Sequence, residues 1–204
     1  MNFKCLSALL LTLSFATALS QPPPGMVIKP EAYILDVEHT KINFEVVHLA
    51  ITSVNGNFLK FGGDFNFDPT NLEATSLKAW ADSKSVFTDN KKRDDHIRSP
   101  DFFDSKKYPK IEFQSKSAKK TGEKTFQLTG DFTLKGKTKT VTFDCTFKGA
   151  IVAFGKHRVG LKATTVINRQ DFGVSFSTLA DSVPLVGDQV TIVINAEGIL
   201  KSDL

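Results

Sequence analysis

From Lys41 to Ala196 apolar and polar residues take turns, and this period of two constrains the fold more than any other feature of the chain. Ile42, Phe44 and Val46 alternate with Lys41, Asn43 and Glu45. Leu59, Phe61, Phe65 and Phe67 follow, with Gly62 and Gly63 inside the run. Leu77, Ala79 and Ala81 come next, then Ile111 and Phe113. Phe126, Leu128, Phe132 and Leu134 form another series, and Val141, Phe143, Cys145 and Phe147 the one after it. Val159, Leu161, Ala163, Thr165 and Ile167 precede the last run, Val190, Ile192, Ile194 and Ala196. Each run puts its apolar members on one face and Lys, Thr, Asp or Gln on the other. That pattern belongs to antiparallel strands wet on one side.

Turn signals separate the runs: Asp68-Pro69-Thr70-Asn71, Thr121-Gly122-Glu123 and Lys135-Gly136-Lys137. About eight one-sided strands predict an all-β, mainly antiparallel fold closed into an eight-stranded barrel, because closure removes exposed edges. Gly62, Gly63 and Gly130 lie inside strands, where glycine marks a bulge or bend. One interval, Thr88 to Asp104, breaks the alternation. Thr88 reads as a helix cap, and Ser99-Pro100-Asp101 as an N-cap followed by proline, so one or two short helices are expected over one barrel end.

The first twenty residues carry Lys4, an apolar run from Leu6 to Ala16, and small residues at Ala18 and Ser20. This reads as a secretory signal peptide at 1–20, cleaved near Ala18 to Ser20, and predicts a periplasmic or secreted protein. Residues 21–31 read as an extended proline-rich leader, 32–198 as the barrel and 199–204 as a C-terminal tail. With Cys5 in the signal, Cys145 is the only mature thiol, flanked on its own strand face by Phe143 and Phe147. It reads as buried and inert.

Composition removes some functions and leaves one question. The 26 basic and 22 acidic residues are dispersed, which excludes a nucleic-acid reader. Phenylalanine accounts for 18 residues against one Trp and two Tyr, so the aromatic mass is almost wholly apolar and forms either a core or a pocket. Candidate chemistry is thin. His39, His48, His96 and His157 show no metal-ligand spacing, no nucleophile elbow is present, and Lys135-Gly136-Lys137-Thr138 lacks the first glycine of a phosphate loop. Arg169 and Asp171, in Asn168-Arg169-Gln170-Asp171-Phe172-Gly173, read either as a rim ion pair or as an anion contact.

Four blocks resemble the YceI-like family. They are Tyr33-x-x-Asp36-x-x-His39-Thr40-x-Ile42-x-Phe44-x-Val46-x-His48 with Gly56-x-Phe58, and Arg93-Asp94-x-His96-Ile97-x-Ser99-x-Asp101-Phe102-Phe103-Asp104 through Phe113. Gly130-x-Phe132-Thr133-Leu134-x-Gly136-x-Thr138-Lys139 and Asn168-Arg169-x-Asp171-Phe172-Gly173 complete them. The resemblance implies a lipocalin-like barrel, exported in bacteria, holding a long isoprenoid or similar apolar chain such as a polyprenyl pyrophosphate, a quinone tail or a fatty amide. It implies a binding protein without enzyme activity or cofactor, and in some members a homodimer.

On that basis Phe44, Val46, Phe65, Phe67, Phe113, Phe132, Phe143, Phe147 and Leu161 are expected to line the ligand space. His48, Asp94, His96 and Arg169 are expected at the rim, either meeting a polar head group or locking the helices in place. Two other readings compete. One is an outer-membrane barrel, opposed by outward Lys139, Thr140, Thr142 and Asp144 and by the scarcity of Trp and Tyr. The other is a metal-dependent enzyme using His39, His48, His96 and nearby aspartates.

Overall fold

The computed structural model describes residues 31–204, so the calls for a signal peptide at 1–20 and for a leader ahead of residue 31 lie outside the described residues. The chain runs β1 (Glu31–Leu35), β2 (Lys41–His48), β3 (Thr52–Phe58), β4 (Phe61–Phe67), β5 (Ser76–Asp82) and β6 (Val86–Phe87). An α-helix, α1 (Lys91–Arg98), follows. Then come β7 (Lys110–Lys120), β8 (Thr125–Leu134), β9 (Lys137–Ala153), β10 (Lys156–Asn168), β11 (Leu179–Ala180), β12 (Val183–Pro184) and β13 (Val186–Leu200).

β1 and β2 both pair with β13, at Tyr33–Leu200 and at Ile42–Ile194, so they act as one interrupted strand. β3 and β4 likewise pair with β2 and β1 in turn, forming a second interrupted strand. Counted this way, eight antiparallel strands follow one another around the wall and close where β13 meets β1 and β2. This is the expected barrel, with one α-helix among the described residues. The break between β3 and β4 corrects the alternation: Phe58 is buried and Leu59 is exposed, so the inward register restarts at Phe61.

Gly130 sits where β7 carries an extra residue between Ser115 and Ser117, and a Cβ there would lie 2.3 Å from the Gln114 carbonyl oxygen. The glycine allows the two backbones to close on the bulge. Gly62 and Gly63 lie in an unbroken register with Trp80 and Ala79, so they serve close approach and not a bulge. At Lys135-Gly136 both residues have positive φ, the hairpin geometry that matches strand twist.

The outer face is wet. Thr129 and Thr142 share a hydroxyl hydrogen bond of 2.8 Å, Thr133 and Thr138 another, and Gln127 Nε2 donates to Asp144 Oδ1. An apolar lipid-facing belt would not carry this polar ladder. No helix among the described residues is long and apolar enough to cross a membrane.

The two poles of the barrel differ. At the upper pole, α1 is capped by the Asn90 side chain, which accepts from the Arg93 N–H, and not by Thr88. Ser99 ends this helix instead of starting another. Its extended backbone (φ −73°, ψ 170°) is what a following proline enforces. At the lower pole a 3-10 turn, Leu72–Ala74, closes the wall with Leu72 buried. The C-terminus is not a free tail: Ile199 and Leu200 are buried in β13, and Asp203 Oδ2 accepts from the His157 backbone N–H at 2.6 Å.

Candidate functional site

Inward side chains of every wall strand converge on a cavity of about 230 Å³ along the barrel axis. Its wall includes Phe44, Val46, Phe65, Phe113, Phe132, Phe143 and Leu161, seven of the nine residues that the alternation nominates. The other two sit elsewhere. Phe67 is fully buried and packs 5.1 Å from Phe147, with Phe126 at 6.4 Å, forming an aromatic floor at the lower pole. Alternation identifies the inward face of a strand but not the depth of a residue along the axis.

The roof was not legible as cavity wall. Ile97 from α1 and Phe102 and Phe103 from the turn after it face the cavity, and Phe103 stacks on Phe58 at 6.0 Å. The nearest signal was Phe102-Phe103 just after a charged helix. Phe132 also meets Phe172 edge-on at 5.4 Å, which seats the 3-10 turn Arg169–Phe172 against the wall.

Cys145 also lies on the wall, and its thiol is pushed up to about 12, first by burial and then by the Asp144 charge. It is a protonated, apolar surface there.

Polar residues on the wall are few, and of its charged residues, Glu112, Lys162 and Arg169, the arginine is the buried one. It is 4 % exposed. Its Nε donates to the Gly187 carbonyl at 2.9 Å, Nη1 to Val174 at 2.6 Å and Nη2 to Val186 at 3.2 Å, while Nη2 also pairs with Asp188 at 2.9 Å. Burial lowers its pKa, and Asp188 opposes that shift. Four of its five N–H groups are thus engaged, three tying the 3-10 turn to β13 and one holding the Val174 carbonyl just after the turn, and one remains. The ion-pair partner is Asp188, not Asp171. Near the floor, Thr75 is buried on the wall and its hydroxyl has no hydrogen-bond partner among the described residues.

The other three rim candidates lie off the cavity. Asp94, buried beneath α1, accepts from the Thr88 N–H at 2.9 Å and from the Thr88 hydroxyl at 2.6 Å. Arg93 donates to the same threonine through Nε and Nη2. His96 donates to Asp101 at 3.0 Å and meets Phe102 and Phe176 edge-on at 5.0 Å. His48 ends β2 opposite Val186. Asp94 and His96 therefore lock the roof, and Arg169 is the rim candidate that reaches the cavity wall.

The histidines occupy separate settings: His39 bonds Asp36, His96 bonds Asp101 and His157 bonds Asp203. Asp36, His39 and Glu197 come close enough to hold a cation. Arg158 already fills that role, with Nη1 bonded to Asp36 Oδ2 at 2.7 Å and to Glu197 Oε1. Two carboxylates neutralised by a guanidinium make an ion-pair cluster and not a free ligand set.

Comparison with known proteins agrees with this geometry. A UPF0312 protein of Pseudomonas putida (strain W619) is 39% identical over 165 residues, covering 79% of this chain and 84% of its own. The crystal structure of Burkholderia cenocepacia BcnA superposes with a TM-score of 0.71 at 26% identity, over 80% of this chain and 98% of that one. A polyisoprenoid binding domain from Saccharophagus degradans, at 14% identity, shares the fold with a TM-score of 0.64 over 83% and 99% of the two chains. The family model for the YceI-like domain matches residues 33–198, which span the barrel from β1 almost to the end of β13, and the chain belongs to that family.

Proposed function

We propose that this protein is an exported binding and carrier protein that holds a long isoprenoid or similar apolar chain along the barrel axis. The observation that carries this reading is the unfilled apolar cavity. At 230 Å³ it exceeds the roughly 150 Å³ apolar voids that stay dry and take up benzene. Leaving it empty costs about 5 kcal/mol, a large share of a domain's net stability. A slender chain recovers that cost. Three isoprene units bury fifteen carbons, worth about 12 kcal/mol before the losses of ligand freedom.

The polyisoprenoid binding domain that shares this fold supports an isoprenoid over other apolar chains. The leader sequence supports export, since Leu6 to Ala16 has the length of a signal core. The polar outer ladder supports a water-soluble carrier. Among the described residues no catalytic constellation competes for the cavity, whose buried charged wall residue is an arginine held by carbonyls and Asp188.

Native mass spectrometry of protein purified from its host tests the reading. The expected spectrum shows an added mass that organic solvent releases as an apolar lipid. Protein that is consistently ligand-free when purified from its host would overturn it.

A further inference from the structure

At the lower pole the β9–β10 hairpin runs past the wall on its β8 side, while β10 keeps its β13 partner as far as Arg158–Ile199. β9 loses its β8 partner after Thr146, apart from a Phe147 N–H bond to the Lys124 carbonyl, yet continues to Ala153. The seven residues beyond Thr146 amount to about 20 Å of strand. The turn at the tip is Phe154-Gly155, with both φ positive at 52° and 73°. That backbone favours Asn or Asp before Gly; a bulky aromatic there is strained. Phe154 is also 97 % exposed, with Ile151 and Val152 exposed behind it. A strained residue that presents an apolar ring to solvent points to a role for the ring.

The charge around the tip fits one partner. The segment Phe147–Val159 contains Lys148, Lys156, His157 and Arg158 and no Asp or Glu. His157 and Arg158 are paired with Asp203, Asp36 and Glu197, while Lys148 and Lys156 have no ion-pair partner among the described residues. The β7–β8 hairpin adds exposed Lys119, Lys120 and Lys124 at the same pole, against Glu123 and against Glu73 of the neighbouring 3-10 turn. The exposed apolar residues of the other pole, Ile51, Leu179 and Val183, lie in segments with Asp181 and Asp188 and no Lys or Arg.

We propose that the β9–β10 hairpin docks the protein on an anionic lipid surface, with Phe154 entering the headgroup region and Lys148 and Lys156 meeting lipid phosphates. An aromatic tip flanked by lysines is the arrangement that interfacial anchors use. The surface is reversible by salt, because the lysine contribution is screened.

Sedimentation of the purified mature chain with vesicles tests this. Phosphatidylcholine alone is compared with a mixture containing roughly a third phosphatidylglycerol. Binding is expected to the mixture, to weaken with salt, and to fall roughly tenfold in the Lys148→Glu, Lys156→Glu double variant. Phe154→Asn is the decisive variant, since Asn suits the turn backbone. It is expected to unfold at a higher temperature and yet bind vesicles roughly tenfold more weakly. Equal binding to both vesicles, or unchanged binding by Phe154→Asn, overturns the proposal. So does a Phe154-dependent dimer in sedimentation velocity without vesicle binding, which would make a second copy the occupant. Vesicle binding reads the outer surface only, so an empty cavity in the mass spectrum would leave this result standing.

Discussion

The ion-pair cluster on Asp36 shows how single residues set the pH range of this fold. Burial alone would raise the Asp36 pKa, but hydrogen bonds from His39, Arg158 and the Glu38 N–H outweigh it and bring it down to about 2. A depressed carboxylate contributes stability that is full above its unfolded value and lost as pH falls through its folded value. Here that window runs from about pH 4 down to 2, and the contribution is about 2 kcal/mol. Asp36→Asn is therefore expected to lower the denaturation midpoint at pH 7 and to flatten the stability profile between pH 4 and 2. A variant whose acid profile parallels the parent would show that Glu197 alone holds Arg158. The sequence offered no sign of this pair, because Arg158 is 122 residues from Asp36 and only barrel closure brings them together. Cys145 was legible by contrast, since its strand face already placed it between two phenylalanines. With a thiol pKa near 12, it is expected to resist thiol reagents at pH 8 in the native protein and to react once denaturant unfolds the barrel.

At the scale of elements, the strands and a short helix over one barrel end were legible, but the roof's share of the cavity wall was not, for a physical reason. A half-buried strand writes its burial into every second residue. A two-turn lid on a barrel end writes almost nothing, because few of its residues face inward. Lys91 to Arg98 is nearly all charged, and Ile97 is the one large apolar side chain it offers the cavity. Its attachment is polar: Asp94 accepts both bonds from Thr88, and Arg98 donates to the carbonyls of Lys84 and Val86. Those partners lie in β6 and its approach, so α1 hangs on a two-residue strand. Asp94→Ala leaves the buried Thr88 N–H without its acceptor and is expected to cost about 2 kcal/mol. Hydrogen exchange should show the loss concentrated in residues 86–104, with β8 to β10 still protected. Uniform loss of protection would mean that the roof and the wall unfold as one unit.

For the whole molecule, the phenylalanine excess divides between structure and space. Phe67, Phe126 and Phe147 make a floor, Phe102 and Phe103 belong to the roof, and the rings between them leave the axis unfilled. The inward glycines serve the same end: a Cβ at Gly198 would lie 2.3 Å from the Phe65 ring, so the missing side chain lets that ring lie against the wall. A fold selected only for stability would fill the space, so filling it by design separates the two demands. Ala163 lies on the wall in β10, between Leu161 and Ile167. Ala163→Phe would occupy part of the cavity and is expected to stabilise the ligand-free barrel by about 2 kcal/mol, a rise of roughly 5 °C in its melting temperature. The same variant is expected to lose the co-purifying lipid and, with it, the stabilisation that bound lipid gives the parent. Stripping lipid from the parent should therefore lower its melting temperature, while the variant, already empty, should not respond to extraction. A variant that melts lower than the stripped parent would mean that the added ring strains the wall. A variant that melts higher and still carries its lipid would place the ligand outside the cavity.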